Sequence, residues 1–220
     1  MQYFISDIHG HYDLFCRLME KIKFCGGDTL YVLGDMIDKG PHSVRLLRLL
    51  FSQQNVFCIA GNHEYNLIKY YHALMRQTED YDYVLRQLGE RYEDRHLLDW
   101  DTVDKLETLP YFIEENFIAV HAGVPLQNGK ILPLSQAMRE QLVYDRDFLS
   151  PHCLPEGKCV LFGHTPTRSV CGRDGILMYP RGGKVNTICD CIKIHLDTGV
   201  YLGGVLGCVS FEGKCFYVKQ

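Results

Sequence analysis

Short apolar runs separated by Gly, Asn, Asp and His punctuate the chain, and three of them, Gln2 to Ser6, Thr29 to Leu33 and Asn55 to Ala60, have the length and composition of strands. Between them Leu14, Phe15, Leu18, Met19 and Ile22 recur at helical spacing. Val44, Leu47 and Phe51 do the same after Pro41, a residue suited to the first turn of a helix. The opening therefore predicts βαβαβ, a sheet with helices packed on it. From Glu64 to Leu109 the pattern turns polar and helical, with Tyr65, Ile68, Tyr71 and Met75 on one face and Arg76, Glu79, Arg91 and Arg95 elsewhere, which predicts a helical cap or flank. After Pro110 strands return at Asn116 to His121, Cys159 to Gly163 and Gly175 to Tyr179. The runs Ile192 to Leu196, Gly204 to Val209 and Lys214 to Val218, set between Gly-rich turns, predict an antiparallel meander. No repeat, low-complexity segment or Ser/Pro linker divides the sequence, so one domain over 1–220 is expected, its cap at about 64–109.

Composition narrows the function classes. The 220 residues, 46% of them hydrophobic, suffice for one sizeable core. A net charge of -4 gives no general attraction to duplex nucleic acid or an anionic membrane, so an anionic substrate must be held by local charge. No apolar run approaches the roughly 20 residues of a membrane span, and the strand-like Gln2 to Ser6 replaces a basic and then apolar leader, so a cytoplasmic location is expected. The ten cysteines are scattered and several, such as Cys58 and Cys159, lie inside apolar runs, which suits reduced structural thiols. Cys189 and Cys191 would share one face of a strand, a spacing unlike that of a zinc knuckle.

The chemistry concentrates where strands give way to loops. Asp7-Ile8-His9 follows the first strand, and residues two apart in extended chain point to one side, so a carboxylate and an imidazole can grip one ion; a capping Asp with a surface His is the plain alternative. Gly34-Asp35-Met36-Ile37-Asp38-Lys39-Gly40 leaves the second strand, with Asp35 where a bridging carboxylate would stand and Asp38 able instead to cap the following helix. Gly61-Asn62-His63-Glu64 leaves the third and offers an amide oxygen beside an imidazole, or a helix cap. His121 and His164 end two later strands.

In their order, GDMIDKG, GNHE, HAG at His121, GHTPT at His164 and the LDTG turn at Leu196 to Gly199 resemble the signature blocks of calcineurin-like metallophosphoesterases of the phosphoprotein-phosphatase type. The compact length is similar to that of bacterial and phage serine/threonine phosphatases, with symmetrical diadenosine tetraphosphate hydrolases as relatives. The resemblance implies an α/β, four-layer α+β-like fold, a central β-sandwich flanked by helices, with a dinuclear metal site on loops at strand ends. It implies one ion on Asp7, His9 and Asp35 and a second on Asp35, Asn62, His121 and His164. A donor set without thiolate favours Mn2+, with Fe or Zn2+ as the other choices. His63 is then the general acid held by Asp38, and a metal-bridging hydroxide attacks phosphorus directly, with no cysteine nucleophile. Lys39 stands where the family has Arg, offering a point charge in place of a fork, and Arg146 of Tyr144-Asp145-Arg146 resembles the second phosphate clamp.

The resemblance implies a metal-dependent phosphomonoesterase acting on phosphoserine or phosphothreonine in proteins, with a dinucleoside polyphosphate hydrolase as the alternative and no obligate partner. A non-catalytic binding module fits poorly with a full ligand set plus Asp38 and His63. His42, His72, His96, His152 and His195 have no block around them, and Arg168, Arg173, Tyr179 and Arg181 could line a substrate rim or a solvated loop.

Overall fold

The computed structural model describes residues 1–219. Strand β1 (Gln2–Ile5), helix α1 (Tyr12–Ile22), β2 (Thr29–Val32), α2 (Ser43–Ser52) and β3 (Val56–Cys58) form the expected opening. The three strands pair in parallel, Tyr3 opposite Leu30 and Leu30 opposite Val56. Next come α3 (Asn62–Met75), α4 (Tyr81–Gly89) and α5 (Trp100–Glu107), then β4 (Phe112–Glu114), β5 (Phe117–Val120), the small hairpin β6 (Leu126–Gln127) and β7 (Lys130–Ile131), and α6 (Arg139–Tyr144). The chain closes with β8 (Cys159–Phe162), α7 (Thr167–Cys171), β9 (Leu177–Pro180), β10 (Cys191–His195), β11 (Val205–Ser210) and β12 (Cys215–Lys219).

Two five-stranded sheets result, ordered β12-β11-β1-β2-β3 and β4-β5-β8-β10-β9. Alternation along β1 and β2 sends Phe4 and Tyr31 inward, where they join Phe117, Ala119, Leu161 and Ile194 of the other sheet in a buried layer. Phe4 stacks on Tyr31 at 5.0 Å and meets Phe117 edge-on at 4.8 Å, and each such fully buried ring contributes about 2–3 kcal/mol of transfer free energy. The opposite face of the first sheet, with Tyr3, Ile5, Leu30 and Val32, takes the apolar stripe of α1 and α2, including Leu14, Leu18 and Leu47. Ile118, Val120, Val160 and Phe162 on the far face of the second sheet pack on Leu134, Leu142 and Phe148. The arrangement is the expected β-sandwich flanked by other layers.

Three local expectations are corrected. The C-terminal strands do not form one meander: β10 runs parallel to β8 in the second sheet, whereas β11 and β12 pair in the first, β11 antiparallel to β1. Period-two alternation reports which faces are buried and is silent about the partner strand. Helix α2 begins at Ser43, so Pro41 precedes it instead of occupying its first turn. Cys189 lies in the single turn Ile188–Asp190 and Cys191 opens β10, so the two are not same-face positions of one strand. All ten cysteines are free thiols.

The helical stretch is three helices because polar caps interrupt it: Asp80 accepts from the Tyr83 amide and Asp99 from the Thr102 amide, both at 2.9 Å. The turn between α4 and α5 is clamped to the start of α2. Buried Asp94 accepts the Val44 and Arg45 amides at 3.3 and 2.8 Å, and Arg48 reaches the Leu97 carbonyl and Asp99 at 2.8 and 2.9 Å. Among the described residues no helix is long and apolar enough to cross a membrane.

Candidate dinuclear metal site

The candidate residues other than Arg146, which follows α6, stand beyond strand ends. Asp7 and His9 follow β1, Asp35, Asp38 and Lys39 follow β2, Asn62 and His63 open α3 beyond β3, His121 follows β5 and His164 follows β8. The backbone there is strained. Of the eight described non-glycine residues in the left-handed region, six are Asp7, His9, Asp35, Asp38, Lys39 and His164, a conformation that costs about 1–3 kcal/mol at each and persists only where neighbours enforce it. The first two loops enforce one another: the amides of Asp7, His9 and Gly10 donate to the carbonyls of Gly34, Asp35 and Met36 at 3.1, 2.9 and 2.7 Å.

Glu64 holds the second and third loops. Its wholly buried carboxylate accepts the amides of Asp35, Met36, Ile37 and Gly61 at 2.9, 2.8, 3.2 and 2.8 Å. In the sequence Glu64 is the last residue of GNHE and the first of the helical stretch, and neither pattern marks this role.

Asp35 stands between two sets of imidazoles. Its Oδ2 is 3.6 Å from His9 Nε2 and 3.8 Å from His63 Nε2, and its Oδ1 is 3.4 Å from His121 Nε2. His121 Nε2 and His164 Nδ1 each approach Asn62 Oδ1, at 3.0 and 2.9 Å. Two groups converge closely enough to hold an ion: His9, Asp35 and His63, and Asp35, His121 and His164. The first differs from the implied trio, because His63 takes the third place while Asp7 Oδ1 lies 4.0 Å from His9 Nε2.

Hydrogen bonds set the tautomers. His9 Nδ1 and His121 Nδ1 donate to the carbonyls of Ile37 and Leu33 at 3.0 and 2.8 Å, leaving each Nε2 with its lone pair turned inward. Burial, then the charge of Lys39, holds His9 well below the ordinary histidine pKa, and burial followed by His121 brings His164 to about 3, so both rings are neutral. Burial, then Asp7 and Glu64, pushes Asp35 well above the carboxylate range; burial and Asp7 do the same to Asp197 of the LDTG turn, whose Oδ1 accepts the Gly199 amide. Crowded buried carboxylates facing neutral imidazoles call for positive charge between them.

The residues fit divalent ions on two further counts. Asp7 Oδ1 and His164 Nε2 are buried without a hydrogen-bond partner among the described residues, an arrangement that costs about 1–3 kcal/mol per group unless something else binds them. The backbone also leaves room: a Cβ on Gly61 would lie 2.2 Å from Asp35 Oδ1, and one on Gly163 2.1 Å from Asp7 Oδ2.

Asp38 and His63 meet as the resemblance implies, Nδ1 to Oδ2 at 2.5 Å. For His63 burial is the largest influence and lowers the pKa, but the bond to Asp38 and the charges of Asp35 and Asp38 outweigh it, and the net shift is upward. Asp38 Oδ2 also receives Arg91 Nη2 at 2.7 Å, from a residue that sequence periodicity placed among the outward charges of the cap. Lys39 Nζ lies 3.1 Å from His9 Nε2 and 3.7 Å above the ring of Tyr201. Arg146 is exposed and lends its charge to His164. Behind it, buried Lys193 donates to the carbonyls of Phe148 and Ser150, each at 2.7 Å, and burial lowers its pKa to about 8. Of the suggested rim, Arg168 pairs with Asp174 at 2.8 Å, and Arg181 binds the carbonyls of Cys189 and Gly157.

Comparison with known proteins identifies a family. Residues 3–189 match the family model described as calcineurin-like phosphoesterase. A symmetrical bis(5'-nucleosyl)-tetraphosphatase of Pseudomonas putida strain W619 is 33% identical over 144 residues, 64% of this chain and 49% of that protein. One from Ectopseudomonas mendocina is 29% identical over 168 residues, 76% and 59% of the two chains. The chain thus spans about half the length of the curated relatives it matches. Among solved structures, a candidate diadenosine tetraphosphatase is similar with a TM-score of 0.71 at 21% identity, over 100% of this chain and 93% of that one. A serine/threonine phosphatase of Saccharomyces cerevisiae gives 0.61 at 14%, over 100% and 79%. At these identities the solved structures speak to the fold alone.

Proposed function

Since the chain belongs to the calcineurin-like phosphoesterase family, we propose that it is a hydrolase using two divalent ions to cleave a dinucleoside polyphosphate of the diadenosine tetraphosphate kind. The carboxylate of Asp35, set between two histidine groups, carries the two-ion reading. The names of the curated relatives support the substrate, and move the alternative reading of the sequence ahead of the phosphoprotein one.

Asp7, His9 and Asp35 would hold one ion, and Asp35, Asn62, His121 and His164 the other. Their hard oxygen and imidazole donors suit Mn2+ first, then Fe or Zn2+. Such ions, when bound, polarise phosphoryl oxygens and make water a competent nucleophile near neutral pH. His63 supplies a proton from Nε2 to the departing oxygen, and Asp38 fixes the ring through Nδ1 and stabilises its charged form. Lys39 and Arg146, whose charges both reach His164, bring positive charge to the phosphate oxygens. The free thiols suit a reducing compartment such as the cytoplasm.

The test is a comparison of Mn2+-loaded protein on diadenosine tetraphosphate and on a phosphothreonine peptide. The expected result is symmetrical cleavage to ADP with at least a tenfold higher kcat/KM than phosphate release from the peptide, about 1.4 kcal/mol in transition-state stabilisation. Preference for the peptide would return the chain to the phosphoprotein reading.

A further inference from the structure

Asp38 Oδ2 is shared between the reacting imidazole and a cation from the cap, 2.5 Å from His63 Nδ1 and 2.7 Å from Arg91 Nη2. Arg91 follows α4 in the turn that Asp94 fixes to the amides at the start of α2, a helix that itself follows the Asp38-Lys39 loop. The guanidinium therefore arrives at the site on a clamped support. One of its five N–H groups is used on Asp38, and the side chain is 45% exposed, so other donors are accessible to a ligand that reaches the Asp38-His63 pair. An isolated surface ion pair would be worth little; this one is joined to the proton donor.

We propose that Arg91 binds the phosphate next to the one being attacked, on the leaving-group side, and so selects anhydrides over simple esters. The inference rests on the hydrolase reading above. His63 is assigned to the leaving oxygen, and Arg91 binds the same Asp38 oxygen as the His63 ring, so an anion departing past His63 comes near the guanidinium. In symmetrical hydrolysis of a dinucleoside tetraphosphate, water oxygen bonds to one central phosphorus as the central P–O–P link breaks. The electron pair stays with the second nucleoside diphosphate, and the water protons go to solvent or to the product phosphates. That leaving group is a multiply charged anion and depends less on the His63 proton than an alkoxide does. A serine or threonine alkoxide is the reverse case, dependent on His63 and offering Arg91 no charge. A forked guanidinium is the side chain that matches a second phosphate.

The measurement is calorimetric binding of inorganic pyrophosphate and of orthophosphate to the Mn2+-loaded protein at one free Mn2+ concentration, for wild type, Arg91→Gln and Arg91→Lys. The expected result is that the preference for pyrophosphate over orthophosphate falls about tenfold in Arg91→Gln, as for loss of a charge-assisted contact, and by less in Arg91→Lys. An unchanged ratio in Arg91→Gln, including one produced by equal weakening of both anions, overturns the proposal and leaves Arg91 as a support for Asp38. The ratio does not depend on turnover, so failure of wild type to cleave diadenosine tetraphosphate would remove the hydrolase reading by itself.

Discussion

The Asp35 amide donates to Glu64 Oε2 at 2.9 Å, so the residue placed between the two histidine groups is positioned by a carboxylate from the start of α3. The same carboxylate takes three further amides, from Met36, Ile37 and Gly61. Replacing Glu64 with Gln turns one acceptor into a donor aimed at amides. We expect Glu64→Gln to lose about 2–3 kcal/mol of stability in urea unfolding and about tenfold in metal affinity, as for other supports of metal ligands. Unchanged stability would show that these loops hold their shape without it.

Lys39 provides a sharper question about phosphate binding. Its ammonium rests on the Tyr201 ring, an arrangement that a guanidinium also accepts. Lys39→Arg should retain kcat/KM or raise it, by up to about tenfold through a second parallel hydrogen bond. A collapse in steady-state kinetics would mean that the loop has closed around the smaller head group.

The candidate site was legible as far as its residues, Arg146 apart, sit in short blocks beyond strand ends, where a local pattern suffices. What joins the blocks was not legible. Glu64 reaches Asp35 across 29 positions, Arg91 reaches Asp38 across 53, and His164 donates its amide to Asp7 across 157. No periodicity records such distances. The same limit explains the C-terminal strands: alternation in Ile192 to Leu196 and Gly204 to Val209 identifies strands with buried faces, yet β8 claims one and β1 the other. The cap was visible as a helical stretch, whereas its attachment through Asp94 to α2 depends on a carboxylate with no motif around it.

His195, given no role by the sequence, should shape the response to acid. It is buried, donates Nε2 to the Thr165 carbonyl at 2.6 Å and stacks on Phe162, and burial lowers its pKa to about 4. Below its ordinary pKa of 6.5 the unfolded chain binds a proton that the folded chain does not. Its contribution is therefore fully present above pH 6.5 and lost as the pH falls towards 4, a change of about 3 kcal/mol at most. His195→Leu should flatten the stability profile in that window, as measured by urea unfolding at successive pH values. An unaltered slope would assign acid sensitivity to other groups.

A site for two ions arranged about Asp35 is tested most directly by a metal titration. Metal-free protein titrated with Mn2+ and followed by calorimetry and elemental analysis should take up two equivalents. His63→Asn should still take up two, since its ring is assigned to the leaving group, and Asp35→Asn should hold neither ion tightly. Uptake of a single equivalent by the wild type, or two retained by Asp35→Asn, would contradict the account.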